Sequence, residues 1–236
     1  MSEFNLGHYT YLFLNALTLF FPVVLSFDKK VAFIGKWKFV FGGIVASAIP
    51  FLIWDHFFTV NQYWGFNPQY ISGIYILQLP LEEWGFFLTV PFACVFIYEC
   101  FHCYFPKNLF PAQANTLLII LGAALLFTGI FYFEKAYTSL TFISLGTYLM
   151  ISSIFTKRRN DIFIISFITS LIPFYFVNGV LTVLPVVWYN NFENLGMRST
   201  SIPVEDPFYA MLLLVITIDV FEFFRNKQKV HKPIYS

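Results

Sequence analysis

The stretch "LQLPLEEWGFF", residues 77–87, places two adjacent acids, Glu82 and Glu83, at the beginning of a long apolar run. Pro80 precedes them by two residues, which suits the first turn of an α-helix because the N–H groups there have no helical partner. The helix dipole favours ionised acids at this end, whereas burial in an apolar surrounding favours their protonated form. The stretch predicts an apolar helix with an acidic pair in its first turn.

The composition of the 236-residue chain indicates an integral membrane protein. Hydrophobic residues make up 58% of the sequence, aromatic residues 22% and charged residues only 11%. These proportions leave too few polar groups to cover a soluble globule of this size. Apolar runs recur along the whole chain, each long enough to cross a hydrocarbon core about 30 Å thick. A soluble protein with an aromatic core is therefore excluded.

Seven apolar segments are predicted to span the bilayer as helices. A bilayer offers no water to unpaired backbone groups, and none of the segments shows the alternation of a barrel strand. We expect the first segment, which begins near His8, to be a retained span and not a cleaved signal. The predicted spans are residues 8–27, 39–58, 80–102, 113–133, 137–156, 161–183 and 205–225.

The basic residues predict the orientation of these spans. With the N-terminus outside and the C-terminus in the cytosol, only Lys135 and Arg198 of the 14 basic residues lie outside. Cytoplasmic segments of membrane proteins carry such an excess of Lys and Arg. The residues predicted to be cytoplasmic are Lys29, Lys30, Lys36, Lys38, Lys107, Lys157, Arg158, Arg159, Arg225, Lys227, Lys229 and Lys232.

A shift of 123 residues aligns the chain with itself over more than fifty residues without a gap. Chance matching of apolar letters does not place prolines, glycines and acids in register. We therefore predict two three-helix repeats, residues 1–112 and 136–236, joined by a connector helix at 113–135. The aligned pairs include Asp55 with Asn178, Asn67 with Asn190, Gly73 with Gly196, Pro80 with Pro203, Glu82–Glu83 with Glu205–Asp206, and Glu99 with Glu222.

The connector helix predicts that both repeats insert in the same sense. Three helices leave the chain on the opposite face of the membrane, and one further crossing returns it to the starting face. Parallel repeats of this kind are related by an approximate twofold axis along the membrane normal, and their interface commonly holds the substrate site. The expected fold is all-α integral membrane, with seven transmembrane helices in two parallel repeats.

The two acidic pairs are the candidate catalytic residues: Glu82 and Glu83 in the first repeat, and Glu205 and Asp206 in "SIPVEDPFY" at 201–209. Neighbouring helical residues project about 100° apart, so one acid of each pair is expected to face the pseudo-axis. Two acids meeting in an apolar cavity favour retention of one proton. Such a proton suits the protonation of an alkene. The alternative is that the acids cap their helices, although intramembrane acids are costly and usually functional.

The candidate substrate-binding residues lie in or beside two long outer connections, 59–79 and 184–204. Aromatic rings there could stabilise a carbocation by their faces, and the connections could fold back as a lid. The alternative is an aromatic belt at the lipid headgroups. The candidates are Trp54, Asp55, Trp64, Asn67, Tyr70, Trp84, Asn178, Trp188 and Asn190.

Neither a metal nor an organic cofactor is expected. Cys100, His102 and Cys103 lie close together, but zinc usually takes four ligands and no second pair of ligands stands nearby. No glycine-rich nucleotide fingerprint occurs. No nucleic-acid partner is expected, and the sequence leaves the oligomeric state open.

The two segments that carry the acidic pairs, here called the acidic boxes, resemble the membrane-integral lycopene cyclase family. This family includes heterodimeric bacterial cyclases and the cyclase domain of fungal bifunctional carotenoid enzymes. The resemblance lies in "WGFNPQYISGIYILQLPLEEWGFF" at 64–87 and "IPVEDPFY" at 202–209. The chain looks like the two bacterial subunits fused through the fourth helix. The resemblance implies a bacterial inner-membrane enzyme that cyclises the linear ψ ends of lycopene, or of a related linear carotenoid, to β-ionone rings without redox change. The four acids of the boxes would then supply the acid and the base.

Three other functions compete with this interpretation. A proton-coupled transporter also suits parallel repeats with acids at their interface, but the spans between the boxes and the cytosol are mostly apolar. A prenyltransferase requires Asp-rich motifs for metal and diphosphate, which the chain lacks. A retinal-binding receptor requires a Schiff-base lysine in the last span, and residues 205–225 contain none. The transporter is therefore the main alternative.

Overall fold

The structure, a computed structural model, describes residues 6–156 and 158–230. Within these residues seven helices are long and apolar enough to cross a membrane, so the chain is an all-α integral membrane protein. Lys157 and Lys232, two residues used to predict the orientation, lie outside the described residues, as does the side chain of Lys229. The helices are α1 (Thr10–Leu25), α2 (Trp37–Val60), α3 (Leu81–Tyr104), α4 (Pro111–Phe131), α5 (Ala136–Phe155), α6 (Asn160–Val183) and α7 (Asp206–Val230).

Short strands form three antiparallel ribbons in the connections that follow α2 and α6. β1 pairs with β4, β2 with β3, and β5 with β6. The strands are β1 (Trp64–Phe66), β2 (Tyr75–Ile76), β3 (Leu79–Pro80), β4 (Val187–Tyr189), β5 (Arg198–Ser199) and β6 (Ile202–Pro203).

The backbone repeats the pattern found in the sequence. A shift of 123 residues brings α2 onto α6 with identical bounds, and it brings the β2–β3 hairpin onto the β5–β6 hairpin. Gly73 and Gly196, which correspond under this shift, both have positive φ angles, 81° and 71°. Such angles favour glycine because it has no Cβ. The domain boundaries at 112 and 136 remain a prediction.

Each proline of the acidic boxes ends a hairpin and does not begin a helix. Pro80 lies in β3, one residue before α3, and Pro203 lies in β6, three residues before α7. The prediction that both prolines lie in the first helical turn is therefore wrong by one residue for Pro80 and by three for Pro203. The correction follows from the hairpins, which hold the backbone extended up to both prolines.

The β1–β4 ribbon joins the outer connections of the two halves. Gly65 lies opposite Trp188 at its centre, and these residues correspond under the 123-residue shift. A contact between equivalent residues is what a local twofold axis produces. A Cβ at Gly65 would lie 2.5 Å from Cζ2 of Trp188, so the indole rests directly on the glycine backbone. The ribbon therefore lies on the pseudo-twofold axis.

The third helix of each half lies at the centre of the bundle. α3 contacts α7 across the axis, α1 packs on α3, and α5 packs on α7. The second helices are exchanged between the halves, since α2 packs on α7 and α6 packs on α3. One apolar core cluster combines residues from α2, α3, α4, α5, α6 and α7. Neither half buries its core alone.

The connector helix α4 packs closely on α5 through small residues. A Cβ at Gly122, Gly129 or Gly146 would lie within 2.8 Å of an atom of the facing helix. Small residues let membrane helices approach in this way, where dispersion contacts replace a hydrophobic driving force. α4 thus holds the second half in place beside the central helices.

Buried charges join the halves at the opposite end of α3 and α7. Glu99 accepts hydrogen bonds from Lys36 Nζ and from Arg225, each over 2.7 Å. Arg225 also pairs with Glu222, the repeat equivalent of Glu99, and Glu222 accepts the Tyr98 hydroxyl at 2.9 Å. Each buried carboxylate of this group therefore has a cationic partner, as burial of charge requires.

Candidate functional site

A small cavity of about 60 Å³ lies between the two halves beside the β1–β4 ribbon. Three acids from three different helices line it, Asp55 of α2, Glu83 of α3 and Asp206 of α7. We call it the carboxylate cavity. Its other lining residues are mostly aromatic: Tyr11, Trp64, Phe66, Phe86, Tyr137, Phe174, Tyr189 and Tyr209, together with Val90, Asn178, Leu181, Val187, Ala210 and Leu213.

Glu83 reaches the cavity from the first turn of α3 and is 8% exposed. The Tyr11 hydroxyl of α1 donates a hydrogen bond to Glu83 Oε2 over 2.5 Å. Within the described part of the chain, no other side chain hydrogen-bonds this carboxyl group. One oxygen of Glu83 is therefore held, while the other is available to a proton or a ligand.

Asp206 occupies the equivalent position at the start of α7, but both of its oxygens are engaged. Oδ1 accepts the Tyr137 hydroxyl and Oδ2 accepts the Tyr189 hydroxyl, each over 2.7 Å. Loss of water around the Tyr189 phenol and the nearby charge of Asp206 both raise the pKa of Tyr189 well above its ordinary value. Tyr189 therefore remains a hydrogen-bond donor to Asp206. Two phenols thus donate to Asp206, whereas one donates to Glu83.

Asp55 is the third acid of the cavity and is 2% exposed. Its Oδ1 accepts the indole N–H of Trp64 over 2.6 Å, which fixes the orientation of that ring. Among the described residues no donor reaches Oδ2, and the buried Tyr209 hydroxyl also lacks a partner there. The repeat equivalent of Asp55 is Asn178, whose Nδ2 donates to the Phe174 carbonyl of its own helix. The cavity is therefore asymmetric in its carboxyl groups.

The first acid of each box holds an outer connection and does not line the carboxylate cavity. Glu82 Oε1 accepts the Ser72 N–H over 2.7 Å, and Glu205 Oε1 accepts the Leu195 N–H over 2.8 Å. Ser72 and Leu195 correspond under the 123-residue shift, so both halves use the same anchor. The Thr138 hydroxyl adds a second donor to Glu205 Oε1 over 2.6 Å. A catalytic role for Glu82 and Glu205 remains a prediction.

Aromatic rings enclose the acids of the carboxylate cavity. Trp64 makes edge contacts with Tyr137, Tyr209 and Tyr189 at centroid separations of 5.0, 5.9 and 6.2 Å. Tyr137 and Tyr189 stack at 6.2 Å. Rings in such contacts restrain each other, so they present fixed faces and edges to the cavity.

The lycopene cyclase family model matches the chain twice, at residues 8–101 and 134–224. The chain belongs to the lycopene cyclase family. Each matched segment contains one acidic box, and the two segments together cover most of the chain. Membership of the lycopene cyclase family makes the protein an enzyme, and it implies a carotenoid substrate. No curated protein and no solved structure matches the chain.

The two matches also identify cavity residues that the sequence prediction missed. Their first residues are 126 positions apart and their last residues 123 positions apart. A shift of 126 aligns Tyr11 with Tyr137, the phenols that bind Glu83 and Asp206. The gapless shift of 123 does not pair them. An alignment that allowed a three-residue gap before α2 would have found both residues.

Of the nine predicted substrate-binding residues, Asp55, Trp64 and Asn178 line the carboxylate cavity. Trp54 packs instead against Phe51 and Tyr209, at centroid separations of 5.7 and 5.2 Å. The remaining five residues do not line the cavity either. Asn67 and Asn190 accept backbone N–H groups in turns, and Trp84 donates to the Ile76 carbonyl. Tyr70 packs near Tyr11, and Trp188 is 42% exposed.

An apolar groove of about 390 Å³ adjoins the carboxylate cavity. Residues of α1, α3, α6 and α7 line it, and they are almost all hydrophobic. On α6 the lining extends from Phe167 to Asn178, roughly 16 Å at a rise of 1.5 Å per residue. The residues common to the groove and the carboxylate cavity are Val90, Phe174, Asn178, Ala210 and Leu213.

Metal ligands are not grouped in this site. Within residues 6–156 and 158–230, no set of three or more His, Cys, Asp and Glu side chains is arranged to hold a metal ion. Cys100 and Cys103 are free thiols, and Cys103 Sγ contacts the Lys30 carbonyl at 3.4 Å. The chemistry available to the carboxylate cavity is that of carboxyl groups, phenols and aromatic rings.

Proposed function

We propose that this protein is a lycopene cyclase that converts linear carotenoid ψ ends into β-ionone rings by acid catalysis, as an intramolecular lyase or isomerase. The single observation that supports this most is the meeting of Glu83 and Asp206 in one buried aromatic cavity. They occupy equivalent positions in the two halves. A shared apolar site with two acids provides a proton donor and a proton acceptor on either side of one substrate end.

The reaction adds one proton and removes one. The acid protonates the terminal double bond, whose electron pair forms the new C–H bond and leaves a tertiary cation. The neighbouring double bond attacks this cation, which closes the ring and moves the positive charge into it. The base then removes a ring proton, and the electrons of that C–H bond form the ring double bond. The product is an isomer of the substrate, so no redox cofactor takes part.

We assign the proton donor to Glu83 and the base to Asp206. Glu83 accepts one hydrogen bond, from Tyr11, and its other oxygen is available to hold a proton. Asp206 accepts two phenol hydrogen bonds, which favour its ionised form. Proton donation from Glu83 leaves a carboxylate that Tyr11 already solvates. Ionised Asp206 stabilises the cation before it accepts the ring proton.

The aromatic walls stabilise the cationic intermediate. A cation over the face of Trp or Tyr gains about 0.5–2 kcal/mol, more when water is excluded. Trp64, which Asp55 holds by the indole N–H, and Tyr209 both line the cavity and would present their rings to the cation. Asp55 adds a third carboxyl group to the same space.

We further propose a place in the bacterial inner membrane, with the N-terminus outside and the C-terminus in the cytosol. The distribution of basic residues supports this orientation. It places the strand ribbons and the carboxylate cavity near the outer surface. Both halves of one chain contribute residues to this cavity.

The test is expression in a bacterium that accumulates lycopene, followed by pigment chromatography. We expect cyclic carotene in cells that carry the wild-type protein and linear lycopene in cells that carry Glu83→Gln/Asp206→Asn. Unchanged lycopene, with the wild-type protein shown to be in the membrane, would count against the cyclase. The proton-coupled carrier would then be tested by acidification of vesicles that contain the purified protein.

A further inference from the structure

The apolar groove lies beside α1 and α6, on one side of the pseudo-twofold axis. We infer that the linear carotenoid enters the carboxylate cavity through this groove alone, between α1 and α6, and that the equivalent route beside α2 and α5 is closed by the chain itself. This inference rests on the proposed function. It extends that function by naming the entry and the residues that keep it open.

Two small residues of the groove have large equivalents on the closed side. Ala210 and Val177 line the groove, and the 123-residue shift pairs them with Phe87 and Trp54. Phe87 is 1% exposed and packs against Phe51 at 6.2 Å. Trp54 stacks on the same ring, Phe51, at 5.7 Å. Aromatic side chains thus fill on one side the space that is empty on the other.

The helix backbones are also closer on the closed side. A Cβ at Gly43 of α2 would lie 2.6 Å from the Thr217 carbonyl oxygen of α7, so these helices touch at Gly43. The hydroxyls of Ser47 and Thr217 hydrogen-bond over 2.7 Å.

The equivalent positions on the open side hold different residues. Gly43 is replaced by the fully buried Ser166, and Thr217 by Cys94, which lines the groove. A serine side chain requires more space between helices than a glycine hydrogen. α6 therefore packs less closely on α3 than α2 packs on α7, and the groove lies beside this looser contact.

The shape and chemistry of the groove match one arm of a linear polyene. Its lining contains no charged residue. Phe21 of α1 and Phe176 of α6 stand at its rim and are 59% and 62% exposed, so the groove opens towards the lipid. Its inner end meets the carboxylate cavity at Ala210 and Leu213. An apolar chain that enters from the bilayer thus brings its end to Glu83 and Asp206.

The test transfers the closing side chains to the open groove. We expect Ala210→Phe and Val177→Trp each to lower lycopene conversion about tenfold or more, because extra bulk in a packed apolar site is poorly accommodated. Ala123→Phe, which adds the same ring to the exposed face of α4, should retain conversion. Thermal unfolding in detergent reports whether each variant is folded.

A binding measurement separates substrate entry from chemistry. Purified Glu83→Gln protein from a lycopene-accumulating strain should retain one lycopene per chain. Glu83→Gln/Ala210→Phe should lose it, and Glu83→Gln/Ala123→Phe should keep it. Full conversion and full pigment retention with Ala210→Phe would overturn the groove inference while leaving the cyclase intact. Phospholipid in place of lycopene in purified Glu83→Gln protein would also overturn it. If the wild-type protein does not convert lycopene, the proposed function itself is contradicted.

Discussion

Tyr11 hydrogen-bonds Glu83 over 2.5 Å, and Tyr137 makes the equivalent bond to Asp206 over 2.7 Å. Each half therefore joins a phenol on its first helix to an acid on its third helix. The second half adds Tyr189 as another donor to Asp206. The two acids in equivalent positions therefore have unequal numbers of phenol donors. The proposed division into an acid and a base rests on this inequality.

The adjacent residues Glu82 and Glu83 should respond differently to the same substitution. Glu83→Gln removes the proposed proton donor, and we expect conversion to fall about 10²–10⁴-fold, the usual contribution of a general acid. Glu82→Gln keeps an acceptor for the Ser72 N–H, so conversion should stay close to wild type. Initial rates with purified protein in lycopene-containing liposomes measure both. Equal losses in the two variants would contradict the assignment.

Removal of the Tyr11 hydroxyl should slow the reaction without unfolding the protein. Tyr11→Phe deletes the only side-chain donor to Glu83 among the described residues. A hydrogen bond to a charged group contributes about 1.5–3 kcal/mol, which corresponds to a rate loss of roughly 10- to 100-fold. Single-turnover rates measure the effect. Tyr75→Phe, which removes a phenol from β2 outside the cavity, is the matched control and should be neutral.

The carboxyl group of Asp55 should matter separately from its hold on Trp64. Asp55→Asn keeps an oxygen for the indole N–H but removes a group that can ionise beside the cation, and we expect a rate loss of about tenfold from weaker stabilisation of the cation. Asp55→Ala removes both the carboxyl group and the acceptor for the indole N–H, so the rate should fall further. Tryptophan fluorescence reports whether Trp64 keeps its environment. An Asp55→Asn variant as slow as Asp55→Ala, with altered fluorescence, would show that the loss comes from Trp64.

Gly65 should tolerate a side chain only when Trp188 is replaced by a smaller residue. Gly65→Ala places a Cβ against the Trp188 indole, and we expect a loss of about 1–3 kcal/mol in the free energy of unfolding. Gly65→Ala/Trp188→Ala should recover part of this loss, because residues in contact are energetically coupled. Thermal unfolding of the two single variants and the double variant gives the coupling. If the changes in unfolding free energy of the two single variants simply add in the double variant, the contact between Gly65 and Trp188 is not the source of the lost stability.

One-ring products should precede two-ring products. The groove leads to one carboxylate cavity, so one end of a carotenoid reacts in each binding event. A second ring then requires release and re-entry by the other end. Early samples from a reaction with excess lycopene should contain monocyclic carotene. Bicyclic carotene from the first turnover onward, without a monocyclic intermediate, would contradict one-end binding.

The sequence predicted the seven helices, the repeat and the acidic boxes because these depend on hydropathy and on identical residues at a fixed spacing. It did not predict which acid of each box faces inward. That choice depends on the rotation of α3 and α7, which the anchors from Ser72 and Leu195 set.

Several aromatic candidates failed to reach the cavity for a similar reason. Trp84 and Trp188 lie in the correct segments, but their rings point to a hairpin carbonyl and to the surface of the ribbon. Residue type predicted a ring near the site, but not its direction. The difference between Ala210 and Phe87 is visible in the aligned sequence, yet its meaning required the positions of the helices.

The ribbon between β1 and β4 has a consequence for motion. Its strands belong to different halves, and they exchange backbone hydrogen bonds across the axis. Neither outer connection can lift away from the acids while the other stays in place, unless these bonds break. We therefore expect the two outer connections over the carboxylate cavity to move together, so that opening of the cavity to water requires a change in both halves.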